Sequence, residues 1–323
     1  DFKPASYGNA GHFSPYAVLQ LNRPDILFDV PKMLFSSYGP LALKWNYVPK
    51  MFKWFFYYFK NCNKKSMMHT AKSMHQILSL SNDAYEEIFQ EIDTNGLVEK
   101  KGIIYVWTNK NLKSRNLEIK IRDELGIKQK LLSREEVLEL EPNLNPVFDA
   151  GIIYESAMHA RDPHGILKQI FKLFLNKGGK FVQTNIKSIE QSKTDETVIK
   201  SESEEYRFEK SVVASGAFSK QFTDQLGEKI PLDTERGYHV HFKGQEGLIS
   251  RPVIFLDRGF GMTPMNQGLR AVGTVELGGT KNPLSKKRIE YVIRCAKELL
   301  PQLGTHEDEW LGFRPTLPDF LPI

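Results

Sequence analysis

The sequence closes on LGFRPTLPDFLPI, Leu311 to Ile323, where one arginine, Arg314, sits in a glycine- and proline-framed segment with only Thr316 and Asp319 as polar company. Such a guanidinium must reach water, pair with a distant carboxylate or await an anionic ligand, because an unpaired buried charge is costly. If an anion comes, a planar fork of donors suits a carboxylate held by two parallel bonds. Tyr238 is a second candidate. In ERGYHVHF, Glu235 to Phe242, strand alternation puts Tyr238, Val240 and Phe242 on one face and His239 and His241 on the other. The tyrosine either offers its hydroxyl to a carboxylate clamp or packs within a sheet. The two histidines lack a third ligand at suitable spacing, so no metal is expected.

VVASGAFS, Val212 to Ser219, reads as a buried strand running through small residues into a helix. Free amides at the carboxyl end of such a strand bind phosphates and nucleotides, and the same pattern also serves as a plain tight turn. SYGNAG, Ser6 to Gly11, is a turn-forming loop that lets backbone approach a ligand closely. The fingerprint GxGxxG does not occur in the 323 residues.

Size and composition narrow the class. With 323 residues and 41% hydrophobic content the chain can bury a full core and suggests roughly two domains. No run nears the ~20 apolar residues of a membrane span, and no signal-peptide layout opens the sequence. Two distant cysteines, Cys62 and Cys295, make neither a CxxC motif nor a disulfide framework, which points to a reducing, cytoplasmic setting. The net charge of +5 is spread along the chain and supports no nucleic-acid partner.

The elements that must position these residues follow from period and caps. Apolar spacing predicts helix between Ser66 and Asp93, and GIIYVWT (102–108) and GIIYE (151–155) read as strands. SREE at Ser133 is a capping box, and Asp162-Pro163 opens a helix that closes near Gly178-Gly179. KFVQT (180–184) is a predicted strand, 192–210 an exposed hairpin and 211–217 a buried strand, so 151–217 suggests a parallel strand-helix-strand unit. Strands over 238–242, 253–256, 260–264 and 269–275 suggest an antiparallel sheet, with a last amphipathic helix from about Ser285 to Leu300. In PKMFKWFFYYFKNCNKK, Pro49 to Lys65, helical winding makes one stripe of Phe52, Phe55, Phe56 and Phe59 and another of Lys53, Tyr57, Lys60 and Lys64, with Trp54 between. This helix either lies on an anionic membrane surface or packs its rings inward and leaves its lysines to water.

SYGNAGHFSP, RDPHG, VVASGAFS, ERGYHVHF and LGFRPTLPDFLPI, in that order, resemble the FAD-dependent amino-acid oxidoreductases of the DAO type, nearest to bacterial D-amino acid dehydrogenase. The resemblance implies an α/β fold in which a Rossmann-like FAD-binding domain is interleaved with an α+β substrate domain of antiparallel or mixed sheet. It assigns 1–20, 155–225 and 310–323 to the FAD-binding domain, and 21–154 and 226–309 to the substrate domain. It implies FAD as cofactor and oxidative deamination of D-amino acids, with hydride passing from substrate Cα to flavin N5 to give a keto acid and ammonia. Glycine, sarcosine or hydroxyproline-type amines are the alternative substrates, and a non-catalytic ligand- or membrane-binding module is the alternative of another class. Arg314 is then the carboxylate clamp and Tyr238 its assistant. Ser6, Asn9, Ala10, Gly11, His12, Ile186, Ala214, Ser215, Gly216 and Ser219 are the expected FAD contacts. Family members carry a GxGxxG strand before, and a second glycine-rich segment after, the stretch seen here, so the sequence reads as a fragment expected to hold FAD poorly by itself. A membrane surface or quinone acceptor is expected through 49–65, on the inner face of the cytoplasmic membrane.

Overall fold

The computed structural model describes residues 5–25, 27, 39–109, 112–192 and 196–322. In chain order its elements begin with a helical turn α1 (Ala5–Gly8), β1 (His12–Phe13) and β2 (Leu41–Leu43), then the helices α2 (Phe52–Asn61), α3 (Lys64–Leu78) and α4 (Ser81–Gln90). Next come β3 (Val98–Glu99), β4 (Ile103–Trp107), α5 (Leu112–Glu124), β5 (Lys130–Ser133), α6 (Arg134–Leu140), β6 (Ala150–Tyr154), β7 (Met158–Ala160) and α7 (Pro163–Asn176). β8 (Ser188–Gln191), β9 (Thr197–Lys200), β10 (Glu205–Phe208) and α8 (Lys220–Gln225) lead into β11 (Asp233–Lys243), β12 (Val253–Phe255), β13 (Phe260–Met265), β14 (Gly268–Leu277), α9 (Lys286–Leu299) and β15 (Asp308–Thr316).

Local chemistry places most boundaries. Asn63 caps α3, its side chain accepting from the Ser66 amide at 2.9 Å. Ser133 and Glu136 form the expected reciprocal capping box, and Asp162 caps α7 with Pro163 in the first turn. Between Ser66 and Asp93 the expected helix is two helices, broken at Ser79-Leu80.

The large sheet runs β15-β11-β14-β13-β12-β4-β6-β5, with β2 beside the far end of β14. Its ladders are antiparallel except β12 with β4 and β14 with β2. One face packs under α9: Tyr238, Val240, Phe242, Met262, Leu269 and Ala271 meet Ile289, Val292, Cys295, Ala296 and Leu299 in a single core. On the other face the register aligns one row across the strands, Trp310, His239, Val272, Gly261, Ile254 and Tyr105. Both cysteines are buried and unbridged. Burial raises both thiols, Cys295 to about 11.

Two expected strands are absent. Residues 180–184 and 211–215 form no strand, with Phe181 61%, Val182 57% and Val212 91% exposed. A strand needs a neighbour for its N–H and C=O groups and for its side chains, and among the described residues neither segment has one. The parallel unit expected over 151–217 is likewise not formed: β6 runs antiparallel to both β4 and β5, and β8, β9 and β10 form a separate antiparallel sheet. The expected hairpin is β9 with β10, while 193–195 lie outside the described residues. The start of the segment 310–323, assigned above to the FAD domain, is hydrogen-bonded into the large sheet as β15.

Inside that sheet lies a charge pair that sequence reading did not single out. Arg236 is fully buried and donates to Glu276 Oε2 at 2.7 Å and to the carbonyls of Gly279, Asn282 and Pro283 at 3.0, 2.8 and 2.6 Å. It pins β11 to β14 and to the loop after β14. Replacing Glu276 by alanine would leave that guanidinium without its counter-charge, so we expect a loss of roughly 3–5 kcal/mol in denaturant unfolding. A loss below about 1 kcal/mol would show that the carbonyls alone hold the arginine.

Candidate active site

The SYGNAGHF loop is fixed by its carbonyl groups. Arg270 Nη1 donates to Asn9 O at 2.8 Å and to Tyr7 O at 3.4 Å, and burial lowers this guanidinium to about 10. His239 Nδ1 lies 2.8 Å from Gly8 O, so that nitrogen carries the proton, and its ring stacks on Trp310. Thr263 Oγ1 donates to Ala10 O at 2.9 Å, and Ala160 N donates to Gly11 O at 2.6 Å. Small residues make this possible: a Cβ on Gly8 would sit 2.4 Å from the Trp310 ring, and Gly11 has φ +72° with Ala160 O 2.7 Å from where a Cβ would stand. Asn9 closes the turn, its Oδ1 accepting from the Gly11 amide at 2.8 Å.

Thr263 spends its single hydroxyl proton on Ala10, so at 2.8 Å it accepts from Nε2–H of His12. That fixes the His12 tautomer, with the lone pair on Nδ1. Burial, and then His159, its partner across the β1/β7 ladder, push His12 down to about 3. His159 is itself fully buried with neither ring nitrogen bonded, and burial pushes it down to about 4.

Arg314 lies on the same face of the sheet as this loop, four residues beyond Trp310 on β15. The β11/β14 register slips between Arg236 and Tyr238, leaving a bulge at Thr274, a β-branched residue at φ +66°. The bulge turns the Thr274 carbonyl to Arg314 Nη2, 2.7 Å away. Gly237 gives the room, since a Cβ there would stand 2.9 Å from Nη2 and 3.0 Å from Nε of Arg314. The guanidinium thus lies flat over bare backbone. A cavity of about 1020 Å³ opens above it, lined among others by Asn9, Ala10, His12, Gly237, Thr274 and Arg314.

The structure therefore brings Asn9, Ala10, His12 and Arg314 together around one cavity. Ser6 is exposed, its carbonyl accepting from Asn9 Nδ2 at 3.3 Å, and Gly11 is buried in the turn. Ile186, Ala214, Ser215, Gly216 and Ser219 do not line the cavity, although the turn that Gly216 opens packs beside β15, with Phe218 edge-on to Phe313 at 6.1 Å. Tyr238 also borders the cavity, with its hydroxyl engaged away from Arg314. Its hydroxyl donates to Glu276 Oε2 at 2.6 Å, on the face packed under α9, and burial followed by that carboxylate raises its pKa.

Sequence reading missed the cavity's far end. There Glu118 meets Arg23, and Arg115 Nη1 at 2.8 Å, with Arg122 Nη1 at 3.5 Å. Burial would raise this carboxyl, but the three guanidinium groups outweigh it and hold it below the usual range. On α2, Trp54 and Tyr58 are buried and stacked 5.3 Å apart, so Trp54 belongs to the core and not to a surface stripe. Phe55 is half-buried, while Phe52, Phe56 and Phe59 are exposed at the cavity's edge.

The two neutral histidines make stability pH-dependent. Unfolded chain protonates both near 6.5, so between 6.5 and about 4 it binds more protons than folded chain, and stability falls as pH falls. The melting temperature is expected to drop between about pH 7 and about pH 5, and to drop less in His159→Phe. Equal slopes would remove His159 from this account.

Comparison with known proteins gives the chain a family. The family described as FAD dependent oxidoreductase (DAO) matches residues 2–323. The chain is 30% identical over 324 residues to a D-amino-acid oxidase of Bradyrhizobium diazoefficiens, covering 98% of this chain and 77% of that protein. It is 25% identical to a D-amino acid dehydrogenase of Vibrio atlanticus, covering 99% and 79%. Among solved structures, glycine oxidase from Geobacillus kaustophilus shares the fold with a TM-score of 0.70 at 18% identity, covering 99% of this chain and 75% of that one. L-alpha-glycerophosphate oxidase from Mycoplasma pneumoniae, with FAD bound, gives 0.68 at 17% identity, covering 97% and 73%. The chain is a member of the DAO family of FAD-dependent oxidoreductases, and FAD is its cofactor.

Proposed function

We propose that the enzyme oxidatively deaminates a D-amino acid whose α-carboxylate is gripped by Arg314. The observation that carries this is the guanidinium itself: it lines the cavity, lies over Gly237, and has one protein bond, to a carbonyl, with no carboxylate paired to it among the described residues. A planar fork left with free donors at a cavity wall is built for a bidentate anion. The names of the relatives above support the D-amino acid part of the reading.

The residues present fit the cofactor. Asn9, Ala10 and His12 border the cavity on a loop whose carbonyls are all tied to protein, leaving a flat, small-residue wall beside space far larger than one amino acid. Bound there, FAD supplies the hydride acceptor. The chain supplies orientation and dryness: Arg314 sets the carboxylate, and so the Cα–H, while Val272 and Ile254 keep the floor apolar. His12 stays neutral and adds no competing positive charge. The oxidised substrate is an imino acid, which water converts to a keto acid and ammonia.

We further propose that Phe52, Phe56 and Phe59, with Lys53 and Lys60, dock the cavity's edge on an anionic membrane where a quinone accepts electrons. Three exposed phenyl rings on one basic helix support this. No helix among the described residues is long and apolar enough to cross a membrane.

Three measurements check these readings. The flavin-loaded protein should bleach anaerobically with a D-amino acid and not with glycine or sarcosine, and the reverse preference would favour the glycine-oxidase-like alternative. Arg314→Lys should raise KM roughly 10- to 100-fold, because ammonium cannot form the two-bond fork; an unchanged KM counts against the clamp. Phe52, Phe56 and Phe59 changed together to serine should stop sedimentation with anionic vesicles, and wild-type protein that fails to sediment at low salt ends the membrane reading.

A further inference from the structure

We infer that Glu235 is the residue that recognises the substrate's α-ammonium group, which makes the site a reader of zwitterions and not of carboxylates alone. The inference rests on the carboxylate reading of Arg314 and deepens it.

Glu235 and Arg314 face each other directly across the β11/β15 ladder. Residues so paired have Cβ atoms about 5 Å apart on one face of the sheet, the spacing at which opposite charges ordinarily meet. Yet no ion pair joins them. Arg314 is drawn along β11, over Gly237 and onto the Thr274 carbonyl. Among the described residues Glu235 keeps only a long 3.4 Å bond, from Thr316 Oγ1 to Oε1. Both residues line the same cavity.

The protein thus holds a cation and an anion side by side and prevents their mutual neutralisation by giving the cation a different partner. A ligand that completes both must carry an acid and an amine on adjacent positions. In an α-amino acid the two groups share one carbon, so their charged atoms lie about 3 Å apart by ordinary bond lengths, which suits two side chains rooted on neighbouring strands. With carboxylate on Arg314 and ammonium on Glu235, two of the four substituents of Cα are placed, and a third contact, to the side chain or the Cα–H, then separates the enantiomers. A 2-hydroxy acid, or an amino acid acylated on nitrogen, leaves the Glu235 carboxylate facing a group with no positive charge.

The test compares D-alanine with propionate, which keeps the acid and lacks the amine, on flavin-loaded wild type, Glu235→Gln and Glu235→Asp of matching melting temperature. Glutamine can still accept from Thr316, so the local structure is preserved. Glu235→Gln should raise KM for D-alanine roughly 10- to 100-fold, as for a lost charge-assisted bond, and leave the Kd of propionate within about twofold. Glu235→Asp should fall between. Equal weakening of both ligands would mean that Glu235 only supports Arg314, and no change in either would place the amine elsewhere; both outcomes overturn the inference while leaving the clamp standing. Wild type that binds neither ligand removes the reading beneath it, and this inference with it.

Discussion

Where β11 passes β14 the ladder slips by one residue between Arg236 and Tyr238, and the arrangement around Arg314 follows from that slip. A regular ladder would have kept the Thr274 carbonyl within its own sheet. The bulge frees it, at a backbone conformation unfavourable to a β-branched residue, and the freed carbonyl takes the arginine that would otherwise pair with Glu235. Local strain of this sort costs on the order of 1–3 kcal/mol and persists only where the surroundings enforce it. Here the enforcement comes from one side of the slip, where Arg236 and Glu276 lock the same two strands together in the dry interior.

The same ladder divides labour between its faces. Under α9 it buries an apolar layer together with the Arg236, Tyr238 and Glu276 network, which is saturated with internal bonds and has nothing left for a ligand. On the other face the aligned row from Trp310 to Tyr105 is mostly uncharged and carries the loop from Tyr7 to Gly11 pressed onto it. Alternation along a strand sends each residue to one or the other, so Tyr238 could not serve both. Its hydroxyl went to the saturated side.

What the amino-acid sequence revealed, and what it hid, tracks the range of the interactions. Caps at Ser133 and Asp162 and the four strands between 233 and 277 depend on neighbours within a few positions, and each is where sequence reading put it, whereas β15, whose partner strand lies about 75 residues back, was not foreseen. The partner of Tyr238 is 38 residues away, and the bulge that decides it has no signature of its own in ERGYHVHF or AVGTVE. Arg115, Glu118 and Arg122 share α5 and read there as an ordinary polar helix face, and the arginine that completes the cluster, Arg23, lies 95 residues away from Glu118 in the chain. KFVQT and SVVASGA have the composition of strands, but composition cannot supply the neighbouring backbone that turns an apolar run into a ladder.

The burial of Cys62 and Cys295 has a practical meaning for a redox protein. Packed in apolar surroundings and tuned away from ionisation, both sulfurs stay as thiols at neutral pH, a form that is a poor nucleophile and a slow target for peroxide or alkylating agents. Cys62 and Cys295 therefore offer an oxidant no ready thiolate and, lying buried and unbridged, no pair of sulfurs to couple.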